Sequence, residues 1–362
     1  MNKKGISTII VSLIMIVLVL AAISIVWVVV SNILSGESER ASSSLGQIFL
    51  GLNIEKVLVE DNGDVSVNVK RKAGEGNLVG LKFVVSDGTN SEVIERKNIN
   101  LAELGEKKFT LTSAELSSLS FVKEVSIAPI TESDSGKESV GNVVNSHVLT
   151  NKQIIENLGA VSWWRFEGNA RDEIGNNAGT LQGGMGFVDG KFGDAGDFDG
   201  SDDYVDLGTS KIITETGQAF TIGAWVKRDS SAEMHIFSQT NIDGSSQLWR
   251  YMLSIGTPFF QAREISEATS TSAVSNSAIT IGEWTYVVMT YDPGQFTFYS
   301  NGQSDGTSTG TITGTFNTNK VTLGVMQRST LANYFDGQID EVMVFDKALT
   351  EKQVKALYEL NL

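Results

Sequence analysis

The sequence predicts an all-β ectodomain carried behind an N-terminal apolar helix, with a small β-sandwich first and a large jelly-roll β-sandwich after it. Three observations lead there. Residues 5–36 contain no charged side chain. From Leu45 onward, apolar and polar residues alternate in short runs separated by Gly, Asn and Asp, the pattern of half-buried strands. From Val161 the turn density rises, and Trp163, Trp164, Trp225, Trp249 and Trp284 all fall in this last part. The organisation that follows is an apolar helix over 1–36, a linker over 37–44, a small sandwich over 45–150, a second linker over 151–160 and the jelly roll over 161–362.

Composition narrows the function. The 362-residue chain has 28 Lys+Arg against 43 Asp+Glu, a formal net charge of −15. A nucleic-acid partner is excluded, because it would need a basic patch to neutralise phosphates. The chain has no cysteine, which excludes disulfides, thiolate zinc sites and a cysteine nucleophile. An extracellular domain of this kind must hold its fold by a core or by metal ions. Of the two histidines, His147 reads as a solvated residue in a polar stretch, and no nucleophile motif accompanies His235.

The first element is the apolar run. As a helix, residues 5–36 would extend roughly 48 Å at 1.5 Å per residue, beyond the ~30 Å hydrocarbon core. A spanning helix and a membrane partner are expected. Lys3 and Lys4 precede it, and Glu37 and Glu39 follow, which puts the N-terminus in the cytoplasm and the bulk of the chain outside. A cleaved secretory signal has an apolar region of only about 7–15 residues; a plain signal anchor is the simpler alternative. The start Lys3-Lys4-Gly5-Ile6-Ser7-Thr8 resembles the class III signal of archaeal type IV pilin-like proteins. That resemblance implies cleavage between Gly5 and Ile6, retention of the helix on the mature protein, and packing with other pilin-like subunits in a surface filament. Bacterial pilins carry Glu at the fifth mature position, where this chain has Ile10.

In the middle region Val65, Val67 and Val69 alternate with Ser66, Asn68 and Lys70 after the turn signal Asp61-Asn62-Gly63-Asp64. Leu81, Phe83 and Val85 repeat the alternation before Asp87-Gly88; Phe109 with Leu111, and Val122 to Ile127, add two more strands. Short strands at this spacing predict an antiparallel sandwich of about 100 residues, which reads as a spacer without a catalytic constellation.

In the C-terminal region Phe220, Ile222, Ala224 and Val226 alternate with Thr221, Gly223, Trp225 and Lys227. The segment Trp284 to Tyr291 has large residues on both faces, as in a strand buried within a two-sheet sandwich. Asn301-Gly302 is the preferred pair for a type I′ hairpin. Thr350 with Gln353 makes a capping box, and Leu349 with Val354 a hydrophobic staple, at the start of a closing helix.

A family resemblance rests on eight motifs in order: Trp164-Arg165-Phe166-Glu167-Gly168, Asp172-Glu173-Ile174-Gly175, Gly190-Lys191-Phe192-Gly193, Phe198 to Val205, Ala224-Trp225-Val226, Glu283-Trp284, Ser300-Asn301-Gly302, and Phe335 to Val342. Residues 160–360 resemble a LamG-like jelly-roll domain of the concanavalin A-like lectin/glucanase superfamily. The resemblance implies a binding module for glycans or other extracellular ligands, with structural calcium.

Seven Asp and one Lys lie between Asp189 and Asp206. Oxygen donors without His or Cys suit calcium, although the spacing does not fit an EF-hand. By the resemblance, Asp172, Asp199, Asp202 and Asp340 would meet at one edge of the sandwich and bind Ca²⁺. The alternative is a set of solvated turn residues. Retaining glycosidases need two carboxylates about 5 Å apart, and the glucanase branch carries Glu-x-Asp-x-x-Glu on one strand. Here Gln338 and Met343 stand at the outer positions, so no enzymatic activity is expected. Trp164, Trp225 and Trp284 read as core. Trp249, Tyr251, Phe259 and Phe260 are less regular and are the candidates for a ligand surface. Together these readings describe a membrane-anchored or pilus-like surface protein that binds an extracellular glycan or surface glycoprotein. A structural filament subunit is the alternative and a glycoside hydrolase the third reading.

Overall fold

The computed structural model describes residues 50–362 apart from 61, 75, 134–135, 210, 214–216, 243–248, 256–258, 266–269, 313–317 and 361. The apolar run, Gly5, Ile6 and the 37–44 linker lie outside the described residues. Among the described residues no helix is long and apolar enough to cross a membrane. The chain forms two compact units that divide between Leu149 and Thr150.

The first unit contains β1 (Leu52–Val59), β2 (Val65–Arg71), β3 (Leu78–Ser86), β4 (Ser91–Lys97), β5 (Glu106–Leu111), β6 (Glu124–Glu132), β7 (Glu138–Val140) and β8 (Asn145–Val148). They make a three-stranded sheet, β1-β2-β5, and a five-stranded one, β4-β3-β6-β7, with β8 also on β6. The period-2 runs decide which faces meet. Val65, Val67, Val69, Leu81, Phe83 and Val85 are fully buried, and Phe83 of one sheet meets Phe109 of the other at 5.2 Å between ring centroids. His147, expected in a solvated stretch, instead pairs with Val125 in the β6–β8 ladder.

The second unit opens with α1 (Asn151–Asn157), where the sequence suggested a linker. Its cause is local: Thr150 and Gln153 form a capping box, and Ile154 and Ile155 are buried. The strands are β9 (Ala160–Trp164), β10 (Thr180–Gln182), β11 (Gly186–Asp189), β12 (Asp194–Asp199), β13 (Tyr204–Asp206), β14 (Phe220–Arg228), β15 (Met234–Thr240), β16 (Trp249–Ile255), β17 (Phe259–Ile265), β18 (Ser270–Ala278), β19 (Thr285–Asp292), β20 (Gly294–Ser300), β21 (Gln303–Gly310), β22 (Lys320–Leu323), β23 (Met326–Gln327), β24 (Leu331–Ala332) and β25 (Asp336–Phe345), and α2 (Glu351–Glu359) closes the chain.

Two antiparallel sheets carry the jelly roll. One runs β10-β13-β22-β15-β16-β17-β18; the other runs β11-β12-β25-β14-β19-β20-β21, with β9 also on β25. Their facing side chains form the core, including Trp164, Phe198, Phe220, Ile222, Val287, Tyr291, Phe298, Val342 and Val344. β19 is buried on both faces, as its composition predicts. One face joins the core, and on the other Tyr286 lies against Trp225 and Tyr358. Trp225 is therefore buried beneath α2 rather than between the sheets, and Trp284 is only half-buried. Ser300 pairs with Gln303 across Asn301-Gly302, and both turn residues have positive φ, 51° and 76°, as a type I′ turn requires. The cap at Thr350 forms with Gln353.

The long strand β25 sets up the chemistry. Its first part, Asp336–Ile339, pairs with β12. Its last part, Val342–Phe345, pairs with β9. On its other side it pairs with β14, with a bulge between the Gly223–Met343 and Trp225–Asp340 partners. Asp340 and Glu341 thus stand where one neighbour strand ends and the other begins.

Candidate functional site

The polar residues of interest fall into two groups of carboxylates, one open and one sealed. The open group is the turn from β12 to β13. Asp199, Asp202 and Asp203 each place a carboxylate oxygen within 4.8 Å of the others. The turn builds itself: Asp199 Oδ1 accepts the amides of Ser201 at 2.8 Å and Asp202 at 3.2 Å, an Asx arrangement. Asp203 Oδ2 accepts the Asp199 amide at 3.1 Å. Those amides hold the Asp199 carboxyl below its ordinary range. Asp203 goes the other way, raised first by burial and then by the charges of Asp199, Asp202 and Asp197. Asp336 is the register partner of Asp199 on β25, a like-charge pairing that disfavours the ladder unless something neutralises it. Tyr204 follows directly, its ring 6.4 Å from that of Tyr334; both tyrosines are half-buried.

All donors in this group are carboxylate oxygens, and two of its three members are exposed. Such a set fits a hard cation such as Ca²⁺. Asp206, also in the acidic run, is instead matched by Lys320 at 2.6 Å.

The other two expected ligands do not join this group. Asp172 is buried and organises a loop: its Oδ1 accepts the amides of Trp163, Ile174 and Gly175, and its Oδ2 that of Asn177. Asp340 is fully buried, with Oδ2 accepting the amides of Lys191 at 2.9 Å and Phe192 at 3.0 Å. The structure therefore groups Asp199 and Asp202 with Asp203, while Asp172 and Asp340 lie outside that group on backbone donors of their own and Asp340 Oδ1 has no hydrogen-bond partner among the described residues. Asp203 was not among the expected candidates although it lies in a quoted motif; its adjacency to Asp202 was the available signal.

The sealed group is Asp340 with Glu341. Glu341 is also fully buried. It accepts from Trp163 Nε1 and from Arg165 Nε at 3.2 Å. A Ser–His contact is sealed too: Ser238 Oγ lies 3.2 Å from His235 Nδ1, both buried. Burial makes these side chains parts of the packing rather than an open reaction centre.

The expected ligand-binding residues lie in regular strands. Trp249 and Tyr251 are in β16, opposite Thr240 and Gln239 of β15. Phe260 in β17 pairs with Ile255, and Phe259 with Ala278. Their side chains lie outside the described residues.

Comparison with known proteins bears on this unit. No curated protein matches the chain. Residues 199–355 match the family model described as the Concanavalin A-like lectin/glucanases superfamily. Among solved structures, domain 4 of AbnA, a GH43 extracellular arabinanase from Geobacillus stearothermophilus in complex with arabinotriose, is 21% identical, with 56% of this chain and 98% of that one covered and a TM-score of 0.46. The binding domain of botulinum neurotoxin serotype G is 19% identical over 55% of this chain and 50% of its own, with a TM-score of 0.43; the chain spans about half of that domain. The CBM40 of Ruminococcus gnavus IT-sialidase bound to alpha2,3 sialyllactose is 19% identical over 40% and 83%, with a TM-score of 0.36. The family model and the two-sheet strand order agree on one conclusion: residues 199–355 are a concanavalin A-like lectin/glucanase domain of the LamG-like kind.

Proposed function

We propose that the jelly roll binds an extracellular glycan without turning it over, and that the acidic turn is its working surface. The observation that carries this reading is the convergence of Asp199, Asp202 and Asp203 beside the Tyr204–Tyr334 pair. Carboxylates accept hydrogen bonds from sugar hydroxyls, directly or around a cation, and a tyrosine ring offers an apolar face to a sugar ring. Asp199, Asp202 and Asp203 would hold Ca²⁺, whose charge offsets the burial and mutual repulsion that raise Asp203. The absence of turnover is supported by Gln338 and Met343 at the outer positions of the glucanase pattern and by the burial of Asp340 and Glu341. Display at the cell surface, with cleavage between Gly5 and Ile6, belongs to the same reading and rests on the sequence of the first 36 residues. N-terminal sequencing of native material should start at Ile6; a chain still starting at Met1 or Asn2 leaves the plain anchor.

The test is a glycan array probed with the full chain in mild detergent, with and without calcium. Arabinotriose and sialyllactose belong on the panel because they occupy two of the structures compared above. Expected is calcium-dependent retention of a defined sugar class, lost in Asp202→Asn and weakened about tenfold or more in Tyr334→Ala, the worth of one stacked aromatic. Retention that is unchanged in both variants would remove the acidic turn from the function. Absence of any retention would remove the glycan.

A further inference from the structure

We propose that Arg228 binds a carboxylate, and that the glycan held at the acidic turn is therefore an acidic one whose carboxylate pairs with this arginine; the second step rests on the function proposed above, the first does not.

The position of Arg228 follows from its strand. Along β14 the alternate residues Ile222, Ala224 and Val226 enter the core, and Arg228 is the next in that series. It closes the strand and is only 4% exposed. An apolar side chain is the usual occupant of such a place. A full positive charge stands there instead, and nothing in the fold answers it. Among the described residues neither Nε nor Nη1 has a hydrogen-bond partner. Burial alone acts on the guanidinium, drawing it below its ordinary pKa, with no carboxylate to hold it up. Arg96 in the first unit shows the contrast: Glu115 at 2.8 Å holds that guanidinium above its ordinary range.

A lysine or a carboxyl group in this situation would give up its charge, but a guanidinium keeps its proton. A buried charge is tolerated when it is paired and hydrogen-bonded. The partner that Arg228 lacks is an anion, and the planar fork of N–H donors matches a carboxylate in both spacing and charge. One carboxylate neutralises one guanidinium, whereas a dianion would bring surplus negative charge to a chain already at −15.

The surroundings put this arginine just beneath the surface and close to the acidic turn. Asp229, Ser231, Ala232 and Glu233, which follow it, are exposed, as is the chain from Thr280 to Glu283, where the Gly282 amide donates to the Arg228 carbonyl at 2.9 Å. On its other side Arg228 has Gly337 of β25 as register partner. A Cβ on Gly337 would collide with the Lys227 carbonyl and lie 3.0 Å from Arg228 Cα, so glycine lets β25 run close by. Asp336, next along β25, is the register partner of Asp199, and its carbonyl accepts the Asp229 amide at 2.9 Å. Asp199 and Arg228 thus lie two strands apart at one end of the sheet, roughly 10 Å on the ~4.8 Å strand spacing. A short oligosaccharide bridges such a span. A cation on Asp199, Asp202 and Asp203 would take its hydroxyls and remove the repulsion between the turn and an anionic ligand, leaving the carboxylate for Arg228. A neutral sugar would leave the arginine unpaired.

The test has two arms, both on the full chain in mild detergent with calcium. In the first, melting is followed in sodium acetate against NaCl of equal ionic strength. The wild type should gain about 2–4 °C once acetate stands several-fold above its Kd. Arg228→Met should show no gain, and without acetate it should melt no lower than the wild type, because it loses no partner. In the second arm, carboxylate-bearing glycans are arrayed beside their methyl esters. The wild type should retain the acids about tenfold or more over the esters, the worth of a charge-assisted pair; Arg228→Met should lose that preference, and Asp202→Asn should lose both forms. An acetate gain that is absent, or unchanged in Arg228→Met, would overturn the carboxylate site. Equal retention of acids and esters by the wild type would overturn the acidic glycan, whatever acetate does. Retention indifferent to Asp202→Asn would overturn the acidic turn as the working surface and leave the acetate result to stand on its own. Should Arg228→Met not fold, Arg228→Lys, which keeps the charge without the fork, should show a reduced acetate gain, and a full gain in it would overturn the pairing.

Discussion

The acidic turn at Asp199–Asp203 and the sealed pair at Asp340–Glu341 use the same functional group on adjacent strands of one sheet, since β12 and β25 are hydrogen-bonded neighbours. In the turn, amides of Ser201 and Asp202 solvate Asp199, and water reaches Asp199 and Asp202. The pair is buried from solvent, and two amides, one indole and one shared arginine are its partners. Backbone amides favour the ionised form at Asp199, whereas burial and then the Asp340 charge disfavour it at Glu341. Carboxylate identity therefore says little; what surrounds the oxygen decides whether it is offered to a ligand or locked into the fold.

Substitution separates the two regions most sharply. Asp340→Ala leaves the Lys191 and Phe192 amides without an acceptor, at about 1–3 kcal/mol for each buried donor. Chemical denaturation at pH 6, where the pair keeps its protons, should show a loss on the order of 4 kcal/mol. Asp202→Ala without metal should stay within about 0.5 kcal/mol of wild type. Comparable losses in the two variants would erase the distinction between offered and locked carboxylates.

Calcium should act on one region only. A cation that binds the folded state alone adds RT ln(1 + [L]/Kd), about 2.7 kcal/mol at a hundredfold excess over Kd. The melting temperature should rise with millimolar CaCl₂ more than with NaCl of equal ionic strength, and Asp202→Asn should abolish the difference. Identical melting curves in EDTA and in calcium, for verified metal-free protein, would make the turn a run of solvated aspartates.

A smaller effect serves as the packing control. Trp225→Phe trims the ring that Tyr358, Tyr286 and Lys191 all contact, and should cost about 1–2 kcal/mol while leaving the calcium increment intact. An increment that shrinks with this substitution would mean that the cation reads global stability rather than the turn.

Periodicity and turn chemistry made much of the architecture readable in the sequence. The valine alternation of β2, the doubly buried β19, the Asn301-Gly302 hairpin and the Thr350 capping box follow from residues close together in the chain. Alternation could not reveal where it breaks. The bulge at Glu341 is a property of three strands meeting, and it turns a strand motif into two carboxylates on one face. The same limit hid α1, read as a linker because its capping box precedes only one buried Ile-Ile step. For the candidate site, the acidic run showed that carboxylates gather near Asp199, while their grouping with Asp203 rather than with Asp172 or Asp340 depended on where the fold places residues far apart in the chain.

Strand β25 also fixes when this domain can finish folding. Trp163 and Glu341, 178 positions apart, meet through a single hydrogen bond, and β25 lies between β14 and the two strands β9 and β12. Synthesis delivers the chain from its N-terminus, so β9, β12 and β14 wait side by side for a partner that arrives almost last. Until then each of them shows the nascent chain an unpaired edge, the kind of surface that recruits strands from other molecules. Contacts of such sequence separation are slow to form. The interval between translating β14 and translating β25 is thus the vulnerable period in the life of this protein, and production at lower temperature or with a holding chaperone should act there before it acts anywhere else.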